Sequence, residues 1–414
     1  MYFDRKFYLE QLIRAEGNGM IKIITGIRRC GKSYLLFNIF RNYLLGKGID
    51  SDHIVSVNFE DRRNKLLRDP DELLKYIDGK LKDDNKYYVL LDEVQLVNEF
   101  EDVLNSYLHY PNVEVYVTGS NAKFLSKDII TEFRGRGWEI KVHPLSFSEY
   151  YEVTGGDKRE ALETYYKYGG LPAVALLDNA EDKQNYLREI YETVYLRDVV
   201  DRNNIKNDAD LKELVRVMAS GIGASTNIRR ISNTFKSVSS LDVSPNTISK
   251  YLDYLQDSFM ISSAPRYDVK GRKYIGTETK YYFEDMGIRN VVLDFRQVEP
   301  THIMENVIYN ELRKDGFSVD VGCVEAFERN SENVVQRKRF EIDFVVNRHD
   351  ERIYIQSAYA LPTADKLNQE EASLLRVSDG FRKIIIVADR YHSGYNEEGI
   401  YLLSLYDFLS GHSI

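Results

Sequence analysis

One stretch of the sequence restricts the fold of this chain more than any other: a loop with two glycines between a predicted strand and a predicted helix. Residues 26–33 read G-I-R-R-C-G-K-S and fill every fixed position of the pattern G-x4-G-K-[S/T]. The β-rich residues Ile21–Thr25 precede the loop, and the apolar residues of Tyr34–Phe40 favour a helix after it. This order of elements is typical of a phosphate-binding loop on a parallel sheet.

The residue types in this loop suit a bound nucleoside triphosphate. Gly26 and Gly31 allow backbone N–H groups to turn inward and to approach the phosphates closely. The ammonium group of Lys32 can reach the β- and γ-phosphates, and the Ser33 hydroxyl can bind Mg²⁺. We therefore expect ATP and Mg²⁺ here, whereas a glycine turn that binds no nucleotide is the alternative. The predicted contact residues are Gly26, Ile27, Arg28, Arg29, Cys30, Gly31, Lys32, Ser33 and Tyr34.

Length and charge exclude several classes of protein. The chain has 414 residues, enough for two or three domains, and its formal charge is −9. Its overall charge does not favour nucleic acid, so any surface that binds DNA has to be local. No apolar stretch is long enough to span a membrane, and the charged N-terminus is unlike a signal peptide, so we expect a cytoplasmic protein without membrane contact. Two cysteines are too few for a disulfide framework or a thiol metal site.

Two carboxylates follow the third of the predicted strands. Further strands are predicted at residues 54–60, 87–93, 113–118 and 138–143, and helices at residues 71–81 and 124–133. The third is apolar up to its end, as expected for a strand that lies in a parallel sheet with helices on both faces. Asp92 is expected to hold Mg²⁺, and Glu93 to orient and deprotonate the attacking water. An acidic pair after a phosphate loop therefore predicts hydrolysis of ATP as well as binding.

Polar residues flank the fourth and fifth predicted strands. Asn121 follows the fourth strand and would lie near the γ-phosphate, with a simple turn as the alternative. Arg134 and Arg136 stand just before the fifth strand. The order of these parts resembles the AAA+ ATPases, in which an arginine at this place reaches the γ-phosphate of a neighbouring subunit. The resemblance implies catalytic roles for these three residues beside Glu93 and a homo-oligomer, while a structural salt bridge is the alternative for the arginines.

Two further motifs narrow this resemblance. Residues 144–150 read P-L-S-F-S-E-Y, and residues 168–174 read Y-G-G-L-P-A-V. They resemble segments of prokaryotic AAA+ ATPases that carry a C-terminal domain of unknown function, and the resemblance covers essentially the whole chain. The order of strands and helices predicts a doubly wound α/β domain, and the resemblance implies that it covers residues 1–204 with a helical lid over residues 145–204. Residues 170–172, G-L-P, also resemble the GxP element of origin-recognition-type and STAND ATPases, which implies that Pro172 lies against the adenine. From the residues alone, G-G-L-P is a helix stop and a turn.

The pattern of residues 205–295 predicts a winged-helix module. Short helices are expected at Leu211–Ser220, Ile228–Ser237 and Ser244–Phe259, before two β-rich stretches. The third helix would turn small polar groups outward, and the basic turn after it would form the wing. We therefore expect contact with double-stranded DNA, whereas a spacer or a protein contact is the alternative. The predicted DNA-binding residues are Asn246, Thr247, Lys250, Lys270, Arg272 and Lys273.

The last predicted domain, residues 296–414, resembles the PD-(D/E)xK nuclease core, an α/β restriction-endonuclease-like fold. Glu305 and Asp343 fit the first two acids of that core, but Gln356 occupies the third place and alanine replaces the lysine. The Glu341 carboxylate is on the same strand face as Asp343 and could replace the lost acid. Without the lysine we expect no cleavage, but a domain that docks a protein partner or grips nucleic acid.

Together these patterns predict a P-loop AAA+ ATPase of the α/β class. It would couple its nucleotide state to the binding of DNA or of a protein partner. The alternative is a nucleotide-gated protein-interaction scaffold that turns over little ATP and does not contact DNA.

Overall fold

The computed structural model describes residues 3–120, 135–238, 243–296, 299–329, 335–389, 392–411 and 414. The chain divides into two compact units. Unit 1 comprises Met1–Pro144, Leu171–Ala173 and Asp257–Phe259, and unit 2 comprises Leu145–Gly170, Val174–Gln256 and Met260–Ile414. Among the helices that the structure describes, none has both the length and the apolar character needed to cross a membrane.

Unit 1 contains a sheet of five parallel strands in the order β2-β3-β4-β1-β5. The strands are β1 (Ile21–Thr25), β2 (Ile54–Asn58), β3 (Tyr87–Asp92), β4 (Val113–Thr118) and β5 (Gly137–Lys141). Every residue of β1, β3 and β4 is buried, which explains why these strands are mostly apolar or β-branched. The two charged residues inside β1 and β4, Lys22 and Glu114, form an ion pair with each other. Because these three strands are neighbours and parallel, their carboxyl ends lie side by side at one edge of the sheet.

Helices cover both faces of this sheet. On one face, Leu73, Ile77 and Leu104 pack into a core with the apolar side chains of the strands. On the other face, the Phe40 ring lies 4.5 Å from that of Tyr116, centroid to centroid. The helices are Lys6–Arg14, residues 32–46, Pro70–Asp78 and Phe100–Tyr107, with short 3-10 turns at Ser51–His53, Arg62–Arg68 and Val94–Leu96. The predicted doubly wound α/β fold is confirmed.

The helix after the glycine loop is longer than the sequence predicted. It runs over residues 32–46 as an α-helical start, Lys32–Tyr34, a π-helical turn, Leu35–Phe40, and an α-helical end, Arg41–Gly46. The predicted helix at 71–81 is observed as Pro70–Asp78, where the Asp69 carboxylate accepts two backbone N–H groups as the N-cap. A further predicted helix, residues 124–133, lies outside the described residues.

Unit 2 begins with a helical region. Its helices are Phe147–Thr154, Lys158–Tyr168, residues 180–202, Asp208–Ser220, Ile228–Val238, Pro245–Asp257 and Met286–Val292. The short helix Pro172–Ala175 begins with Pro172 and Ala173 of unit 1. The Ser244 hydroxyl accepts the Thr247 N–H at 3.1 Å and so caps the helix that follows. Three helices and a hairpin thus occur in the order expected for residues 205–295, and the assignment to a winged helix stays a prediction.

A mixed sheet of nine strands forms the rest of unit 2, in the order β13-β14-β12-β11-β10-β9-β7-β8-β6. The strands are β6 (Ser225–Thr226), β7 (Ile261–Asp268), β8 (Lys273–Phe283), β9 (Ser318–Arg329), β10 (Val335–Arg348), β11 (Glu351–Ala358), β12 (Arg382–Val387), β13 (Gly394–Tyr395) and β14 (Tyr401–Ser404). The helices Pro300–Lys314, Ala364–Leu375 and Leu405–Leu409 complete an α/β C-terminal segment.

The nine-stranded sheet is continuous across the predicted domain boundary at residue 295. Parallel pairing of β7 with β9, which places Tyr267 opposite Gly322, joins the hairpin of the helical region to the C-terminal strands. A core behind this junction includes Tyr267, Val324 and Ile342. The predicted boundaries and the nuclease-like assignment stay predictions.

Candidate functional site

The backbone of the loop over residues 26–33 has the conformation that its glycines permit. Gly26 and Gly31 have φ angles of 135° and 101°, in the region that favours glycine. A Cβ atom on Gly26 would stand 2.0 Å from the carbonyl oxygen of Val142, so no other residue fits there without a shift of the backbone. The close packing of this loop therefore requires glycine at position 26.

Lys32 lies at the start of the helix over residues 32–46 and is buried, with 4 % of its surface exposed. Its ammonium group donates hydrogen bonds to the carbonyl oxygens of Gly26 and Ile27, both at 3.0 Å. The cation is thus held inside the curve of the loop, next to a helix N-terminus, whose partial positive charge also favours an anion.

Asp92 ends β3 at the same sheet edge as the loop and is buried. Its carboxylate accepts a hydrogen bond of 2.6 Å from the Thr118 hydroxyl. Burial raises the pKa of Asp92, and the nearby Thr118 and Ser33 side chains oppose that rise. The structure therefore brings together Ser33 and Asp92, the two predicted Mg²⁺ ligands.

Glu93 adopts a left-handed backbone conformation, with φ 56° and ψ 48°. Its N–H donates to the Thr118 hydroxyl at 2.9 Å. Its carboxylate accepts hydrogen bonds from the Ser120 hydroxyl at 3.1 Å and from the Gln95 amide. A non-glycine residue in this conformation costs free energy, so these contacts stabilise an unfavourable turn that points the acid along the sheet edge.

Arg28 of the loop is linked to Glu93 through the side chain of Ser120. Its Nε donates to the Ser120 hydroxyl at 3.2 Å, and that hydroxyl in turn donates to Glu93. Sequence reasoning assigned Arg28 to the nucleotide but missed Thr118, Ser120 and Gln95. Thr118 ends β4, the strand that pairs with β3, and Ser120 follows two residues later, so the roles of both depend on which strands are neighbours in the sheet.

Pro172 is the remaining predicted nucleotide contact in unit 1. Its Cγ lies 3.8 Å from the position of a Cβ on Gly31, so the proline borders the loop. Cys30 is buried and its thiol donates to the Val142 carbonyl at 3.3 Å, which gives it a packing role. Tyr34 is 38 % exposed at the start of the helix.

The remaining predicted catalytic residues are Asn121, Arg134 and Arg136. Arg136 is exposed just before β5, and its carbonyl oxygen accepts the Ile21 N–H at 2.9 Å. Asn121 and Arg134 lie outside the described residues. Their roles stay predictions.

The predicted DNA-binding residues belong to unit 2. Asn246 and Lys250 are exposed on the helix Pro245–Asp257, whereas the Thr247 hydroxyl is engaged by Ser244 at 2.9 Å. Lys270, Arg272 and Lys273 are exposed at the turn between β7 and β8. The basic turn is therefore accessible to a polyanion.

A second acidic cluster in unit 2 contains the nuclease-like positions. Glu305, from the helix Pro300–Lys314, and Asp343, from β10, lie near each other, since the charge of Glu305 contributes to the raised pKa of Asp343, about 7. Gln356 accepts the Asp343 N–H at 3.3 Å and does not supply a carboxylate. Among the described residues, no group of three or more His, Cys, Asp or Glu has the arrangement of a metal site.

The oxygen donors beside the loop nevertheless fit Mg²⁺. This ion prefers one or two protein oxygen ligands together with water and phosphate oxygens, rather than a cage of side chains. Ser33 and Asp92 supply such oxygens, and the Ser33 side chain is near enough to Asp92 to lower its pKa. The residues present therefore suit the ion that the loop pattern implies.

Two protein families match the chain. Residues 18–151 match an AAA domain, and residues 159–299 match a domain of unknown function, DUF8612. The first match contains the glycine loop and both acids, and the second contains the helices and the β7–β8 hairpin of unit 2.

The chain also resembles full-length proteins of other organisms. An uncharacterized protein of Haemophilus influenzae is 33 % identical over 412 residues, which cover 98 % of each chain. An uncharacterized protein of Methanocaldococcus jannaschii is 29 % identical over 373 residues, 87 % of this chain and 79 % of that protein. The crystal structure of Cdc6p from Pyrobaculum aerophilum aligns over 73 % of this chain and 94 % of its own, with 12 % identity. Its TM-score of 0.29 is too low to support a conclusion.

Proposed function

Because the chain belongs to the same protein family as its full-length Haemophilus influenzae relative and contains an AAA domain, we propose that it binds ATP and hydrolyses the bond between the β- and γ-phosphates. One observation carries the proposal. The buried Lys32 ammonium is held inside the curve of the phosphate loop, and Asp92 ends β3 at the same edge of the sheet, so that a bound phosphate and the acids would share one site.

Each group at this site has a distinct role in the proposed reaction. The loop N–H groups and the Lys32 ammonium bind the β- and γ-phosphates, and Glu93 accepts the proton of the attacking water. Ser120 and Gln95 position the Glu93 carboxylate through their hydrogen bonds. Since Glu93 follows directly after Asp92, the base and the metal ligand are adjacent.

Mg²⁺, when bound, would neutralise charge on the phosphate oxygens. Ser33 and Asp92 are the residues proposed to hold it, and Pro172 is proposed to lie beside the nucleotide because it borders Gly31. For Asp92 to bind the ion it must be ionised. The hydrogen bond from Thr118 and the nearby Ser33 side chain favour that form against the effect of burial.

We extend the proposal to a catalytic arginine supplied by a neighbouring subunit. Arg136 is exposed, as such a residue would need to be, and Arg134 and Asn121 are proposed partners from the resemblance to AAA+ ATPases. A finger that acts in trans requires a homo-oligomer.

A second candidate function is contact with double-stranded DNA through unit 2. Its support is the placement of the basic turn next to another basic strand. The Lys270 ammonium donates to the Glu325 carbonyl of β9 at 3.2 Å, and β10, which pairs with β9, carries Arg337 and Arg339, both more than half exposed. Salt bridges to Glu325 hold both arginines at this surface. Phosphate contacts from such cations would give affinity without base specificity.

ATP binding tests the first proposal directly. Calorimetric titration of the full-length protein with Mg-ATP should give a one-site isotherm, which Lys32→Ala should abolish because the phosphates lose their buried cation. Lys75→Ala is the matched control, since Lys75 is an exposed helix residue that pairs with Glu72 at 2.8 Å. A scaffold without turnover would bind ATP equally well, so turnover has to be measured separately.

A further inference from the structure

A lysine from the β7–β8 hairpin lies within the carboxylate cluster of unit 2. The Lys280 ammonium donates to Glu305 Oε1 at 2.9 Å and contacts Glu341 Oε1 at 2.8 Å. Only 5 % of its side chain is exposed. The Tyr282 hydroxyl, on the same strand, donates to the same Glu305 oxygen at 2.7 Å. The cluster therefore contains a cation that is part of the protein and comes from outside residues 296–414.

Asp343 completes the set of acids around this lysine. Its Oδ2 accepts hydrogen bonds from the N–H and the hydroxyl of Ser357, both at 2.8 Å. Burial and the charge of Glu305 raise the pKa of Asp343 to about 7, against the effect of Lys280. Burial by itself would lower the pKa of Lys280, but the charges of Glu305, Asp343 and Glu341 raise it. Lys280 therefore remains charged at neutral pH.

The Glu305 carboxylate is packed closely against the backbone at Gly223. A Cβ atom on Gly223 would stand 3.0 Å from Glu305 Oε2, and Gly223 has a φ of +71°, so that glycine is needed at this contact. Carboxylates removed from water in this way are unstable unless a positive charge compensates them. In a nuclease-like core that charge comes from a divalent cation bound to the acids. Here the Lys280 ammonium contacts one carboxylate oxygen each of Glu305 and Glu341.

From this geometry we infer that Lys280 takes the place of a divalent cation among Glu305, Glu341 and Asp343. Unit 2 then holds its acids without a metal, and this cluster does not hydrolyse phosphodiesters. The ion pairs instead fasten β8 to the helix Pro300–Lys314 and to β10. This inference is independent of the proposed ATPase, because all of its residues lie in unit 2.

Thermal unfolding of the full-length protein with and without Mn²⁺ tests the inference. We expect the wild-type midpoint to be unchanged by millimolar Mn²⁺. Lys280→Ala should lower the midpoint by roughly 10 °C, because buried carboxylates lose their counter-ion, and Mn²⁺ should then restore part of the loss. If the variant does not fold alone, its refolding yield with and without Mn²⁺ gives the same readout. Lys75→Ala, which alters an exposed pair, should show neither effect.

A second variant separates charge compensation from loss of packing. The double variant Lys280→Met, Glu305→Gln removes both charges, so it should unfold at a higher temperature than Lys280→Met alone. The inference is overturned if Mn²⁺ stabilises the wild-type protein and Asp343→Asn removes that response, since the acids would then bind metal beside the lysine. It is also overturned if Lys280→Ala gains no response to Mn²⁺, or if the double variant is no more stable than the single one.

Discussion

The hydroxyl of Thr118 donates a hydrogen bond of 2.6 Å to the carboxylate of Asp92. The same hydroxyl accepts the N–H of Glu93 at 2.9 Å, so one side chain at the end of β4 holds both acids at the end of β3. Since β3 and β4 are parallel neighbours, the sheet itself sets this arrangement. The acidic pair therefore depends on a residue of the adjacent strand for its position.

Replacement of Thr118 by valine keeps the shape of the side chain and removes its hydroxyl. Asp92 would lose a donor and the Glu93 N–H its acceptor, both in buried surroundings, which should cost about 1–3 kcal/mol of the free energy of unfolding. Urea unfolding of the two proteins measures the difference. Thr164→Val is the control, because the Thr164 hydroxyl bonds the Glu160 carbonyl on an exposed helix surface. If both variants lose the same free energy of unfolding, the Thr118 hydroxyl has no special role in holding Asp92 and Glu93.

Asp285 should make the stability of the protein depend on pH. Its buried carboxylate accepts N–H groups of Gly170 at 2.7 Å and Ile288 at 3.0 Å. Burial raises its pKa from 3.8 to about 6, although these hydrogen bonds oppose the rise. The folded chain therefore binds the proton more tightly than the unfolded chain. The stability that this proton contributes, about 3 kcal/mol, is present below pH 4 and is lost as the pH rises through 6.

Asp285→Asn should remove this part of the pH dependence. The variant should lose stability relative to wild type mainly at pH 4, and the difference in the free energy of unfolding should shrink toward pH 7. Urea titrations at several pH values measure it, with the exposed Asp365→Asn as control. A difference that is constant over this range would contradict the assignment of the raised pKa.

The basic turn of unit 2 should contribute to DNA binding. Reversal of the charges at Lys270, Arg272 and Lys273 should weaken binding of the full-length protein to a labelled duplex by tenfold or more. It should also reduce the dependence of affinity on salt, since about three phosphate contacts are lost. Fluorescence anisotropy at several salt concentrations measures both. Arg197→Glu, at a helix position that is 74 % exposed, should have little effect. If the triple variant binds like wild type, the turn does not contact DNA.

Arg136 should affect turnover more than binding. A residue that stabilises transition-state charge from a neighbouring subunit lowers kcat when it is lost, so Arg136→Ala should reduce turnover by roughly 1000-fold with little change in ATP affinity. Mixing this variant with Lys32→Ala subunits should restore part of the activity, because each supplies what the other lacks. Arg63→Ala, at an exposed arginine of unit 1, is the control. If Arg136→Ala turns over ATP at the wild-type rate, Arg136 is not catalytic and has a structural role only.

The local part of the proposed ATP site could be predicted from the sequence. Residues 26–33, Asp92 and Glu93 are recognisable because their chemistry follows from their neighbours along the chain. Thr118 and Ser120 could not be assigned, since their roles depend on which strands are adjacent, and sheet order is not a local property. The left-handed backbone of Glu93 is likewise set by its contacts with those residues.

The cluster around Lys280 in unit 2 could not be predicted either, because it also depends on which strands and helices are neighbours. Lys280 lies in a β-rich stretch and its three acids follow 25 or more residues later, so the cluster exists only through the pairing of strands and the packing of a helix. The first half of β10 was not predicted, because three consecutive basic residues, 337–339, interrupt the alternation expected of a half-buried strand. The strand β9 was not predicted either. Cross-strand salt bridges such as that of Arg337 with Glu325 stabilise these residues in the sheet.

Release of phosphate from ATP tests the central claim most directly. The full-length protein should release phosphate in the presence of Mg²⁺, and Glu93→Gln should reduce kcat by at least 100-fold while Mg-ATP still binds, since only the proton acceptor is changed. Lys32→Ala should show neither binding nor turnover. Hydrolysis by Glu93→Gln at the wild-type rate would contradict the account, and so would a wild-type protein that binds Mg-ATP without releasing phosphate.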